Sequence, residues 1–148
     1  MICLKNLGMS NDLVKSETPP NWPALVERFP EASRRSESVV VTYAPYIYVP
    51  SGATLPPDLM AHEKTHLKQQ GDNPTEWWER YFEDREFRME QELEAYSVQL
   101  HMWRAAPAKI FKRMKELLTA DLAGPMYDLG LTRGEADAKL RRYEKLLA

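Results

Sequence analysis

The chain has 148 residues, 43% of them hydrophobic, enough for one domain with a moderate core and no obvious second unit. Its 20 basic and 22 acidic residues are interspersed and sum to a formal charge of −2, which leaves no basic footprint for nucleic acid or an anionic membrane surface. No stretch approaches the roughly 20 apolar residues that cross a bilayer. The single cysteine, Cys3, cannot form an internal disulfide, and the opening MICLKNLGMSNDLVK lacks the apolar segment of a secretory signal. The expectation is cytoplasmic synthesis with neither nucleic acid nor membrane as partner.

In chain order, residues 1–20 show weak periodicity and end in the proline-rich ETPPNWP, an arm or loop. Asn21 is placed to cap a short helix with Pro23 in its first turn, running to about Phe29 and stopped by Pro30. The EASRRSE segment then reads as a solvated linker. From Ser38 to Val49 the sequence SVVVTYAPYIYV is rich in β-branched and aromatic residues and reads as a strand, with Pro45 suiting an edge or a bulge. PSGATLPP leads into a helix entered through Pro56 and Pro57 and stopped by Gly71.

Thr75 is expected to cap a short helix, TEWWERYFE, whose Trp77, Trp78, Tyr81 and Phe82 read as packing. Asp84 caps a longer helix from Arg85 to about Ala105. Two more helices follow. One runs from Ala108 to about Leu122 with Ile110, Phe111, Met114, Leu117 and Leu118 at helical spacing, and one capped by Thr132 runs to the C-terminus. The expected fold class is α+β, mostly helical, in a single domain: an arm over 1–20, a motif-bearing core over 38–104 and C-terminal helices over 105–148.

The helix DLMAHEKTHLKQQ carries His62, Glu63 and His66 in the order H-E-x-x-H. Residues four apart share a helix face, so the two imidazoles can converge on one ion at about 2.0–2.1 Å each. Zinc suits neutral imidazole nitrogen, and Glu63, one position on, can act as a base on a water without being a ligand. A catalytic zinc takes a third protein ligand. On the helix from Arg85, the apolar residues Met89, Leu93, Tyr96, Leu100 and Trp103 mark a buried stripe. At about 100° per residue, Glu92 lies roughly 60° from the middle of that stripe, Glu90 roughly 100° and Glu94 roughly 140°. A carboxylate at the border of a buried face is costly unless paired or metal-bound, which selects Glu92. Gln69 and Gln70 could orient ligands but read first as solvent-exposed, and His101 reads as a core or surface residue.

H-E-x-x-H followed on a later helix by E-x-x-A resembles the gluzincin-type zinc metallopeptidases, and the small size resembles the minimal zincin-like proteins of bacterial and phage genomes. The resemblance covers about residues 38–104, with Ala95 completing ELEA. It implies one zinc ion on His62, His66 and Glu92, Glu63 as general base, a peptide or protein substrate, and a substrate-binding strand edge within Val39 to Val49. Related sequences often carry aspartate after the alanine, where this chain has Tyr96, so the carboxylate that would orient a histidine is not at that position. His101, Tyr96, Tyr127, Tyr143 and Arg88 are all candidates to stabilise an oxyanion. The alternative function is a non-catalytic structural or assembly protein, of phage type, that keeps the fold and the metal site.

Overall fold

The computed structural model describes residues 12–147, which form three short strands and seven helices in a mostly helical α+β arrangement. The strands are β1 (Val14–Lys15), β2 (Val41–Tyr43) and β3 (Tyr46–Tyr48). The helices are α1 (Trp22–Arg28), α2 (Pro30–Arg34), α3 (Pro57–Gln70), α4 (Pro74–Glu83), α5 (Arg85–His101), α6 (Ala108–Ala123) and α7 (Arg133–Leu147). The part of the expected arm over 1–11, and Ala148, lie outside the described residues. No helix among the described residues is long and apolar enough to cross a membrane.

Three local expectations are corrected. The arm is not all loop, because β1 joins the sheet in parallel with β3, Val14 opposite Ile47. The long strand is instead a hairpin: the chain reverses at the cis Ala44–Pro45 bond, and β2 pairs antiparallel with β3, Thr42 opposite Ile47. Pro45 thus sits in the turn, where its missing N–H costs no ladder bond. The sheet order is β1-β3-β2, which puts β2 on an edge. The expected linker contains α2, since Pro30 occupies a first-turn position and starts this helix as well as ending the previous one. Glu31 pairs with Arg34 at 2.5 Å and Arg35 at 3.9 Å along it, and Ala32 is buried.

Capping also differs from expectation at two places. Asn21 makes no side-chain cap to α1, and α4 is capped by Asn73, whose side chain accepts from the Glu76 N–H at 3.1 Å, rather than by Thr75. Asp84 does cap α5, accepting from Phe87 N–H at 3.0 Å. Thr132 and Glu135 form a reciprocal pair at the start of α7, each side chain accepting from the other's backbone N–H. Helix α5 ends at His101, a turn before Ala105. On α6 only Leu118 of the spaced apolar set is fully buried, while Ile110 and Leu117 are exposed.

Two apolar clusters flank α5. One joins Leu25, Phe29, Ala32, Val39, Val41, Trp77, Trp78 and Tyr81 across α1, α2, the hairpin and α4. The other joins Leu93, Tyr96 and Leu100 of α5 to Leu118 and Leu122 of α6 and Ala136 and Leu140 of α7. Burial of Leu93 or Leu100 is worth about 1.5–3 kcal/mol each. Helix α5 carries Arg88, Glu92 and Gln99 on the face beside that second cluster, and all three are buried.

Arg88 has no exposed surface and, among the described residues, no carboxylate hydrogen-bonded to it. Its guanidinium donates to the carbonyls of Tyr81 at 2.6 Å, Tyr127 at 2.8 Å and Asp128 at 3.1 Å, tying the end of α4 and the loop after α6 to α5. Arg88→Met is expected to destabilise the protein by about 3 kcal/mol or more, because several buried carbonyls lose their donor at once. Urea unfolding of parent and variant checks this; a loss below about 0.5 kcal/mol, typical of a surface site, contradicts it.

Candidate metal centre

Helices α3 and α5 pack face to face, and their polar stripes meet. Pro57 opens α3 at its first position and Gly71, at φ 53°, closes it in the region that favours glycine. Between them His62, Glu63 and His66 point inward, with exposures of 3, 5 and 5%. From α5, Glu92 enters the same space at 3% exposure, whereas Glu90 and Glu94 are exposed. The two Nε2 atoms stand 3.1 Å apart, and Glu92 Oε2 is 3.5 Å from each. His62, His66 and Glu92 form a buried group that can hold a metal ion.

Each of these side chains is held from behind. Tyr81 donates its hydroxyl to Glu92 Oε1 at 2.5 Å, and Oε2 is buried without a hydrogen-bond partner among the described residues. His62 Nδ1 meets Gln99 Oε1 at 3.0 Å, and Gln99 Nε2 donates to Asp58 Oδ2 at 3.1 Å, which also accepts from Trp103 Nε1 at 3.2 Å. His66 Nδ1 meets Gln69 Oε1 at 2.7 Å, and Gln69 Nε2 donates to the Gln91 carbonyl at 3.0 Å. Thr42 of β2 donates its hydroxyl to Glu63 Oε2 at 2.6 Å, leaving Oε1 4.0 Å from His62 Nε2.

The electrostatics follow from burial and proximity. Burial opposes charge on His66, but the adjacent Glu92 carboxylate first, then Glu63 and the contact with Gln69, outweigh it and raise the imidazole to about 9. Burial likewise opposes ionisation of Glu92, and the nearby charge on His66 with the close approach of both imidazoles outweighs it, holding the carboxyl well below its ordinary range. Burial first, and then nearby carboxylates and phenols, push Tyr96 and Tyr127 well above the usual tyrosine value, so both stay protonated.

A cleft of about 350 Å³ opens on the group between α1, α2 and Val39–Thr42 on one side and residues 120–127 on the other. Within Val39 to Val49, only the residues up to Thr42 line it. The Thr42 carbonyl accepts from Gln70 Nε2 at 2.8 Å and Trp78 Nε1 at 3.1 Å. Of the oxyanion candidates, Tyr96 and Tyr127 line the cleft with their hydroxyls 2.8 Å apart. Arg88 is spent on carbonyls, and His101 faces Glu144 at 3.5 Å, away from the group. Tyr143 packs on the second apolar cluster.

Gln69 and Gln70 are not the solvated residues expected, because Gln69 bridges His66 of its own helix to the Gln91 carbonyl of α5 and Gln70 reaches the hairpin. Sequence reading missed Thr42, Asp58, Tyr81 and Gln99. Asp58 stands four residues before His62, and Gln99 seven after Glu92, so the helical period places each on its ligand's face. Tyr81 and Thr42 come from separate elements and leave no such signal.

In the metal-free protein, the raised His66 contributes stability that is complete below about pH 6.5 and lost as pH rises through about 9. The depressed Glu92 contributes stability present above about pH 4.5 and lost as pH falls from there. Tm of metal-stripped protein is therefore expected to peak between these limits and fall toward pH 9, with the alkaline fall flattened in His66→Gln. An alkaline limb equally steep in the variant contradicts the ion pair. Comparison with family models, curated proteins and solved structures finds no match to this chain, and the chemistry of the site stands on its geometry.

Proposed function

We propose that the chain is a zinc-dependent metallopeptidase built on a minimal zincin-like fold. The observation that carries this reading is the triangle of donor atoms, 3.1, 3.5 and 3.5 Å on its sides, with one corner a buried carboxylate oxygen that lacks any hydrogen-bond donor. Three ligands of one zinc at about 2.0–2.1 Å would stand about 3.3–3.4 Å apart, so His62, His66 and Glu92 would hold such an ion without rearrangement. The donor set of two imidazoles and one carboxylate is also the one zinc takes in hydrolytic sites. A zinc held there by His62, His66 and Glu92 would supply Lewis-acid polarisation of a carbonyl and acidify a water to about pKa 7.

The chain's own residues supply the rest. Thr42 holds Glu63 by one oxygen and leaves the other turned toward the histidines, so the carboxylate is oriented as a base. Glu63 takes a proton from the attacking water as its oxygen bonds to the scissile carbonyl carbon. It then delivers that proton to the amine nitrogen as the C–N bond breaks. Tyr96 and Tyr127 spend one phenolic proton between them, which leaves the other to donate to the carbonyl oxygen as charge develops. Leu25, Phe29, Ala32, Val39, Val41 and Met126 give the cleft an apolar wall, which fits a peptide with a bulky apolar side chain near the scissile bond.

The test compares parent, Glu63→Gln and Glu92→Gln for zinc content and for cleavage of an unbiased peptide library read by mass spectrometry. The parent should hold one zinc per chain and cut beside bulky apolar residues. Glu63→Gln should keep the zinc and lose at least about 100-fold in rate. Glu92→Gln should lose most of the zinc, whereas Glu90→Gln and Glu94→Gln should change stability by no more than about 0.5 kcal/mol. Cleavage that survives Glu63→Gln overturns the base assignment. Zinc held by a parent that cuts nothing favours the non-catalytic alternative.

A further inference from the structure

The position that carries aspartate in the resembled sequences is Tyr96 here, and its ring packs edge-on against His62 with centroids 4.5 Å apart. What holds the polar side of His62 is Gln99, one turn further along α5. We infer that Gln99, anchored by Asp58, is the positioning residue that fixes His62 as an Nε2 donor, replacing a direct carboxylate with a two-residue relay. This inference rests on the metal reading above and extends it to the side chains behind the ligands.

The orientation of the amide follows from what can donate and what can accept. An ionised Asp58 is an acceptor only, so the Gln99 side facing it at 3.1 Å must be the NH2 group. The carbonyl oxygen of Gln99 then faces His62 Nδ1 at 3.0 Å, and an oxygen there is satisfied only if Nδ1 carries the proton. A neutral imidazole with its proton on Nδ1 presents the Nε2 lone pair, and Nε2 is the atom that faces His66 and Glu92. The His66 side is built alike: the Gln91 carbonyl orients the Gln69 amide, whose oxygen faces His66 Nδ1 at 2.7 Å. The two arms differ in their anchor, an anionic carboxylate for His62 and a neutral carbonyl for His66.

The relay also explains why an amide stands between the carboxylate and the imidazole. Glu63 and Glu92 already place two carboxylates in the buried group, and a third in direct contact with His62 would add like charge at low dielectric. Passing the bond through Gln99 moves that charge out to Asp58, which is only partly buried and lies in the first turn of α3, where the helix dipole favours an anion. Trp103 fixes the same carboxylate oxygen from the end of α5.

The test replaces the relay in two ways and reads zinc affinity by competition with a chromophoric chelator, together with the histidine tautomer by long-range nitrogen–proton NMR on metal-free protein. Gln99→Met keeps the side-chain length and removes the acceptor. The paired swap Asp58→Asn with Gln99→Glu reverses the polarity of the outer bond and preserves an acceptor on Nδ1; half-exposed Trp103 can then turn its N–H to water. The expected result is a loss of about 10-fold or more in zinc affinity for Gln99→Met and a smaller change for the swap, which keeps an acceptor on Nδ1 but sets a carboxylate against His62. In metal-free parent and swap, His62 should carry its proton on Nδ1, and in Gln99→Met that preference should be lost. Parent-like affinity in Gln99→Met, or an equal loss in the swap, overturns the relay. A parent that binds no zinc overturns the proposed function alone, because the tautomer of His62 in metal-free protein still decides the relay: a proton found on Nε2 overturns it.

Discussion

The carboxylate of Glu92 is the constraint around which the rest is arranged. It is buried between two histidines, with one oxygen fixed by the Tyr81 hydroxyl and the other bare. A buried anion without compensation is too costly to persist, so the fold must bring positive charge to it. In the metal-free protein that charge is the raised His66, and the same bare oxygen and paired imidazoles are what a cation would find. Tyr81 thereby links α4 to the site as well as to the first apolar cluster.

Helix α5 makes this arrangement rigid by serving two neighbours at once. Leu93, Tyr96 and Leu100 anchor it in the cluster with α6 and α7, and the adjoining face carries Arg88, Glu92 and Gln99. Arg88 extends the support by holding the loop that contains Tyr127, so the phenol pair at the cleft is set by a buried cation bound to carbonyl oxygens. Ala95, wholly buried one turn after Glu92, leaves room for the close approach of α3.

The long helices and the helix face of Glu92 were legible because a period near 3.6 is strong over 14 to 17 residues. Asp84 was legible as a cap for a similar local reason. The short pieces were not. Three-residue strands, a five-residue helix and a tight turn at Ala44–Pro45 carry too few residues for periodicity, and they are settled by packing of Val39, Val41, Ile47 and Ala32 against distant elements. The second layer of the site was hidden for a different reason. Gln69 and Gln70 look like surface residues on a helix taken alone, and become interior only once α5 and the hairpin cover them. The Glu63 partner was hidden likewise, since Thr42 lies 21 residues earlier in a different element.

The covered carbonyl of Thr42 bears on association as well as on the site. An edge strand with open backbone groups is a template on which another chain can extend the sheet. Here β2 is only three residues long, and two side-chain donors, Gln70 and Trp78, already occupy the carbonyl at its middle. A foreign strand laid along that edge would have to displace both donors and strand them in the interior. The same two bonds that lock the hairpin onto α3 and α4 therefore act as a guard against sheet-to-sheet aggregation at the mouth of the cleft.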